Sequence, residues 1–310
     1  MSAQFRRSRR QNLFFVISAV VFSLLLALLA AACLISPFGL RSWRHVKQPL
    51  SSARMKHLPR VFLWAWERPE NLTFVDPHET GIAYLAETIY ISNHSSYTKS
   101  VSDDFVIRPR MQPLRVPDGT ALMAVARIEM RGTLQRNGSG EEIAITPEID
   151  AQIQTQSDGR VERVATAIAR LAEVPSVSAV QVDFDATVSQ RAFYSAMLHE
   201  LRHRLPANMP LSITALASWC YGDTWLDSLP IDEAVPMLFR MGVDDRNIRS
   251  MLVQGKDFRS PVCRGSLGFS TDEDAQAISP GIFSGRRIYW FHPRTWTAAA
   301  FHDAVQGVRP

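Results

Sequence analysis

The sequence is poor in cysteine and lacks the glycine-rich and metal-binding motifs that identify several large protein classes. Its three cysteines are too few for a small disulfide-built domain, and no Cys-x-x-Cys or Cys/His ligand spacing indicates a zinc module. No GxGxxG or GxxxxGKS/T motif follows a candidate strand, which argues against dinucleotide and P-loop nucleotide binding.

An excess of charge is also absent once the first ten residues are set aside. The net charge is +4, and it comes from four arginines near the N-terminus: Arg6, Arg7, Arg9 and Arg10. Acidic and basic residues balance in the remainder of the chain. We therefore expect no extended basic surface and no nucleic-acid partner.

The composition is otherwise that of an ordinary packed protein. The chain has 310 residues, of which 46% are hydrophobic and 21% charged, with 15 Gly and 18 Pro. These values exclude disordered, collagen-like and coiled-coil chains. The sequence contains no internal repeat or low-complexity stretch.

A long apolar run follows the basic N-terminus. Residues 13–35 read LFFVISAVVFSLLLALLAAACLI, 23 residues without a charge, which as a helix would span a hydrocarbon core of about 30 Å. We predict a basic cytoplasmic tail at 1–12, a signal anchor or signal peptide at 13–36, and a tether at 37–60. The protein is then expected to cross the bacterial inner membrane once, with its folded domain in the periplasm or outside the cell. Lipidation of Cys33 is an alternative.

The rest of the chain alternates short apolar runs with amphipathic or turn-rich segments. Helical patterns cover 160–172 and 189–204. This order, with eight strands in about 250 residues, predicts an α/β fold, a (β/α)8 TIM-like barrel at 61–310. An open, doubly wound sheet is the alternative. The eight predicted strands are 61–66, 81–91, 121–130, 179–185, 211–219, 234–241, 265–269 and 287–291.

Acidic residues alternate with apolar ones on the fourth predicted strand. The period of two places Asp183 and Asp185 on one face and Val182 and Phe184 on the other. Because the apolar pair should pack against helices, we expect the carboxylates to face the barrel axis. They lie at the end of the strand, where barrels of this type keep their active sites.

The third predicted strand alternates in the same way. Arg127 and Glu129 share a face, with Ile128 and Met130 on the other. Neighbouring strands should therefore bring an arginine and three carboxylates together at the carboxyl end of the barrel. A structural ion-pair network is the alternative, although burying charges is costly. Paired carboxylates in a wet cleft would instead divide acid and base roles.

Tryptophans lie near other predicted strand ends. Trp64, Trp66 and Trp219 are candidates for stacking on sugar rings, with core packing as the alternative. Arg127 is assigned to substrate binding and to holding a neighbouring carboxylate ionised.

Two further features allow alternative chemistry. Cys220 and Cys263 are predicted to form a disulfide between two loops, and a nucleophilic Cys220 is the alternative. The sequence HELRH at 199–203 matches the letters of the HExxH zinc signature, so a metalloprotease is a third hypothesis. Two flanking arginines and the lack of an evident third ligand argue against it.

Several blocks together resemble a bacterial family known only as a domain of unknown function. They are FLWAWERPENL, GIAYLAETI, VQVDFDATVSQRAFY, LSITALASWC, DEAVPMLFRMG and RRIYWFHPRTW, between residues 58 and 296. The resemblance implies an exported barrel distantly related to glycoside hydrolases. VQVDFDAT also resembles the DxxDxDxE signature of family-eighteen chitinases. Asp183 and Asp185 match its last two aspartates, whereas Thr187 stands where that family has its catalytic glutamate.

These observations lead to two main hypotheses. In the first, an envelope-anchored barrel hydrolyses polysaccharide, with Asp185 and Glu129 as acid and base and Asp183 orienting the site, and with no cofactor or metal. In the second, the barrel has no catalytic activity and binds a glycan or a protein, because Thr187 replaces the most recognisable acid.

Overall fold

Eight parallel strands form the centre of the protein in this computed structural model, which describes residues 52–92, 105–131, 135–136, 142–143, 157–273 and 278–306. All eight were predicted from the alternation of apolar residues, with ends that differ by a few residues. The strands are β1 Val61–Ala65, β2 Thr80–Ser92, β3 Leu122–Arg131, β4 Val177–Asp183, β5 Leu211–Leu216, β6 Glu233–Met237, β7 Ser266–Ser270 and β8 Arg287–Phe291.

The sheet closes into a barrel. Strand β1 pairs in parallel with β2 on one side and with β8 on the other, and each remaining strand pairs in parallel with its neighbours in sequence. An open sheet would leave two edges among these eight strands, and here none of the eight forms such an edge. The barrel prediction is confirmed, and the doubly wound alternative is wrong.

Among the residues that the structure describes, the helices are fewer than a regular (β/α)8 pattern requires. Residues 66–79, between β1 and β2, contain no helix, and the predicted strand 211–219 ends early because Ala217–Gly222 is helical. The predicted helices at 160–172 and 189–204 are present as α1 and α2. The α-helices of the described ranges are α1 Ser157–Ala169, α2 Arg191–Arg204, α3 Ala217–Gly222, α4 Asp245–Val253 and α5 Ala298–Gln306. Short 3-10 helices lie at Ala53–Met55, Arg170–Glu173, Val188–Gln190, Trp225–Ser228, Gly242–Asp244, Pro261–Arg264 and Pro280–Ile282.

Strands β2 and β3 extend beyond the rest of the barrel on the side where the strands end. Strand β1 stops at Ala65, so the later part of β2 would have an open edge. The strand Phe105–Pro109 pairs antiparallel with residues 87–91 of β2 and covers that edge. Covering an edge in this way limits unwanted strand pairing. Shorter pairs are Glu70–Asn71 with Leu114–Arg115, and Gln135–Arg136 with Glu142–Ile143.

The alternation along the strands separates two apolar clusters. The barrel interior contains residues such as Phe62, Trp64, Met123 and Tyr289. The larger cluster lies between the outer faces of the strands and the helices; it includes Ile128, Val182, Phe184, Tyr194 and Leu198. Each strand therefore buries both faces, as parallel barrel strands do.

The end of the barrel where the strands begin is closed by polar contacts to the preceding chain. Arg287 donates to a carboxylate oxygen of Glu233 at 2.7 Å and to the backbone oxygens of Met55 and Pro59, each at 2.8 Å. Met55 is fully buried, and Leu58 is almost fully buried. The predicted tether 37–60 is therefore wrong at its C-terminal end: residues 52–60 pack against the barrel.

The predicted tail and membrane segment, residues 1–12 and 13–36, lie outside the described residues. No helix within the ranges given above is long and apolar enough to cross a bilayer.

Candidate functional site

A polar pocket lies where β3 and β4 end. Its volume is about 340 Å³. Strand pairing sets Arg127 of β3 opposite Asp183 of β4, and the four residues predicted to converge all line the pocket. The lining residues are Arg127, Ile128, Glu129, Met130, Asp183, Phe184, Asp185, Thr187 and Gln190.

Asp183 is the deepest of these carboxylates. It is 9% exposed, because Val182 and Phe184 pack outward and turn it toward the barrel axis. Burial raises its pKa to about 6, although a hydrogen bond donated by Thr214 Oγ1 at 2.6 Å opposes the shift. The negative charge of Asp185 adds to the rise. Asp183 is therefore an acid that changes charge close to neutral pH.

Asp185 lies in a turn beyond the strand. Strand β4 ends at Asp183, two residues earlier than predicted, and the N–H of Ala186 donates to the oxygen of Phe184 at 2.9 Å. This turn leaves the side chain of Asp185 exposed at the pocket. Partial loss of hydration raises the pKa of Asp185, and Arg127 opposes the rise. A carboxyl group with a raised pKa that solvent reaches can donate a proton.

Arg127 links the acids of the two strands. Its Nε lies 3.1 Å from an oxygen of Glu129, and its Nη1 lies 3.9 Å from an oxygen of Asp183. The side chains of Arg127 and Glu129 are 33% and 40% exposed. The cluster is therefore a wet cleft rather than a dry ion-pair network.

The tryptophans differ from the prediction. Trp64 is fully buried, and its Nε1 donates to Gln181 Oε1 at 2.9 Å. Trp219 is 4% exposed because it belongs to helix α3, which packs it into the outer core. Neither ring face can stack on a ligand, so these two assignments are wrong. Trp66 is half-buried, with the guanidinium of Arg127 5.6 Å from its ring centre.

The position of Thr187 has a local structural explanation. Gln190 Oε1 accepts a hydrogen bond from the Thr187 N–H at 2.9 Å, which satisfies a backbone donor before helix α2. Both residues line the pocket. Where the chitinase pattern has its acid, this chain therefore has a neutral residue at the helix entry.

The disulfide prediction is confirmed, and the zinc motif gains no support. Cys220 and Cys263 are bonded, with their Cα atoms 5.9 Å apart. His199 and His203 are exposed, and Glu200 pairs with Arg204 at 2.6 Å. Within the described ranges, no group of three or more His, Cys, Asp or Glu side chains could hold a metal ion. His199 and His203 thus lie on the solvent-facing side of helix α2, while Leu201 packs into the core.

Sequence reasoning missed two residues beside the acids. Thr214, the donor to Asp183, lies on β5 in a period-two pattern with Ser212, and that pattern could have revealed it. Tyr194 lies on α2 and packs edge-to-face on Phe184, with ring centres 5.1 Å apart. No sequence motif indicates that contact, because it depends on how the helix docks on the barrel.

Comparison with known proteins gives a family of unknown function. Residues 139–239 match the family described as "Domain of unknown function (DUF3142)". This region contains the blocks from β4 and β5, which confirms for about a third of the chain the predicted resemblance to such a family. No curated protein matches the sequence.

One solved structure with some similarity is the spore cortex-lytic enzyme SleL of Bacillus cereus. The identity is 13% and the TM-score is 0.38, over 69% of this chain and 51% of that one. The chain therefore spans about half the length of that protein.

Proposed function

We propose that the barrel is a glycoside-hydrolase-like enzyme acting on polysaccharide. The observation that carries the proposal is the pocket itself, where Asp183, Asp185 and Glu129 meet Arg127 in a wet cleft at the carboxyl end of the barrel. Holding three carboxylates close together is costly, and functional sites are where proteins keep such costly arrangements. Sites of this type in barrel enzymes lie at the same end.

Each acid has a proposed task. Asp185, exposed and with a raised pKa, gives its proton to the glycosidic oxygen as the bond from that oxygen to the sugar carbon breaks. Glu129, paired with Arg127, takes a proton from the water whose oxygen then bonds to that carbon. Asp183 orients the pair, and its own pKa is raised by burial and by the charge of Asp185. Arg127 and Trp66 border the ligand.

The test is hydrolysis of a panel of polysaccharides by the purified protein and by Asp185→Asn. We expect the substitution to lower turnover by at least ~100-fold, because general acid catalysis contributes about 10²–10⁴ in rate. Asp118→Asn is the matched control, since Asp118 is exposed in the turn before β3, at the opposite end of the barrel. Equal turnover in Asp185→Asn and the parent would contradict the assignment.

A non-catalytic barrel that binds a glycan or a protein is the second candidate. Thr187 favours it, because a residue that cannot donate a proton as an acid lines the pocket at the position of the chitinase glutamate. Measurable affinity for a polysaccharide, with no reducing ends released from it, would support this function over hydrolysis.

We further propose that the chain is anchored in the bacterial inner membrane by residues 13–36, with the barrel on the outer side. The uncharged length of that segment and the Cys220–Cys263 disulfide support it, because disulfides persist in oxidising compartments. Recovery of the protein in the soluble fraction of lysed cells, with free thiols at both positions, would contradict this location.

A further inference from the structure

Three hydrogen-bond donors beside the pocket have no acceptor. The Oη of Tyr194, the Nε1 of Trp225 and the Nε of Arg191 are buried and have no hydrogen-bond partner among the described residues. Buried donors without acceptors are rare in folded proteins, because each lost its water on folding. Three in one cluster therefore require an explanation.

The three side chains form one group. The Tyr194 and Trp225 rings are 6.1 Å apart, and the guanidinium of Arg191 lies 5.0 Å from the Trp225 ring centre. Arg191 directly follows Gln190, which lines the acidic pocket. Tyr194 packs on Phe184, which stands between Asp183 and Asp185 in the chain. The donors are thus next to the proposed catalytic acids.

The charges around the group favour an uncharged acceptor. Burial, with the negative charges of Asp183 and Asp185, raises the pKa of Tyr194 well above its usual value, so the phenol stays a donor. The positive charge of Arg191 is balanced by Asp223, at 2.5 Å. An anionic ligand would be repelled by Asp183 and Asp185, whereas an uncharged ligand would not.

The polar edge of the group is partly exposed. The side chains of the Arg191–Asp223 pair are 25% and 35% exposed. Ion pairs that water reaches contribute little to stability, so the two side chains can move aside together at small cost. A bound ligand could then supply oxygen atoms to the donors. Aromatic rings with a few fixed polar groups are typical of small-molecule sites.

We propose that Arg191, Tyr194 and Trp225 form a subsite that donates hydrogen bonds to uncharged oxygen atoms of a carbohydrate bound beside Asp185. The inference rests on the proposed function, because it takes a glycan as the ligand. It adds to that function a preference for neutral sugars over acidic ones.

The experiment measures binding by calorimetry with four probes: cellohexaose, xylohexaose, mannohexaose and hexagalacturonic acid. We expect at least one neutral hexasaccharide to bind and the acidic one to bind more weakly. Tyr194→Phe and Trp225→Phe should each raise Kd by about 2- to 10-fold, the effect of one hydrogen bond. Tyr221→Phe is the matched control, because Tyr221 is exposed on the neighbouring helix α3, and its Kd should equal that of the parent.

The Tm of Tyr194→Phe separates a ligand site from a structural role. Because the Tyr194 Oη has no hydrogen-bond partner among the described residues, removing it should not lower the Tm. The Trp225 ring packs on Trp219 and Tyr194, so Trp225→Phe is judged by its Kd. A lower Tm in Tyr194→Phe, an unchanged Kd in both variants, or no binding of any neutral probe would overturn the subsite. If the protein hydrolyses a polysaccharide but both variants bind with the Kd of the parent, the proposed function stands and the subsite is wrong. If the variants bind more weakly than the parent but no product forms, the subsite stands and the hydrolase function is wrong.

Discussion

Glu87 is a buried carboxylate whose charge the surrounding residues compensate poorly. It follows the irregularity in the pairing of β2 with β3, and its Oε1 lacks a hydrogen-bond partner among the described residues. Burial raises its pKa from 4.5 to about 7, with partial opposition from Arg170. A raised pKa means that the folded state binds the proton more tightly than the unfolded state. The contribution of Glu87 to the unfolding free energy therefore falls as the pH rises from 4.5 to about 7.

Replacing Glu87 with Gln should remove this penalty. We expect Glu87→Gln to raise the unfolding free energy by up to about 3 kcal/mol near pH 8 and to change it little near pH 4. Urea denaturation at both pH values measures the difference. Glu79→Gln, at an exposed position of the turn before β2, serves as the control. A gain of the same size at both pH values would show that the charge of Glu87 is not the cause.

The candidate site was predictable residue by residue only where strand alternation applied. Asp183 and Arg127 meet as expected, because period two fixes which face of a strand a side chain takes. The assignment of Trp219 to sugar stacking was wrong because the apolar run 211–219 continues from a strand into a helix, where side chains no longer alternate with a period of two. Tyr194 could not be predicted, since its position depends on packing between a helix and a loop.

Among the elements, helix α3 and the 3-10 helix Pro261–Arg264 before β7 are joined by the Cys220–Cys263 bond. The bond joins residues 43 positions apart, so in the chain-entropy model it contributes about 4 kcal/mol to the unfolding free energy. We expect Cys220→Ser combined with Cys263→Ser to lower the unfolding free energy by about 2–4 kcal/mol. Dithiothreitol should lower the Tm of the parent and leave the double variant unaffected, and equal sensitivity in both would contradict a structural role.

The barrel strands were predictable as elements, as were helices α1 and α2, whereas the other connections were not. Each barrel strand carries apolar residues on both faces, or apolar and polar residues in alternation, and either pattern is visible in the sequence. Helix α4 has only two buried residues, Ile248 and Leu252, four positions apart, which is a weak signal. The strand Phe105–Pro109 follows from the length of β2 relative to β1, a property of the assembled sheet that no local pattern contains.

At the scale of the whole molecule, the chain enters the barrel at the end opposite the pocket. Ser52 and Arg54 contact Asp232, just before β6, at 2.6 and 3.0 Å, and Met55 fills the interior beneath the strands. The folded domain therefore begins near residue 52 rather than at 61. From sequence alone, residues 52–60 look like a basic, proline-containing linker. Their packing depends on backbone oxygens that accept hydrogen bonds from Arg287, and no pattern of side chains reveals such contacts.

A pair of substitutions in the full chain tests this role. We expect Met55→Ala to lower the unfolding free energy by about 2–4 kcal/mol, since it leaves a cavity where the side chain was fully buried. Lys56→Ala changes the next residue in the same turn, which is exposed, and should change the unfolding free energy by less than about 0.5 kcal/mol. Because residues 52–60 then share the cooperative unfolding of the barrel, both variants should keep one transition. A second transition in the parent, lost in Met55→Ala, would instead show that the segment docks independently.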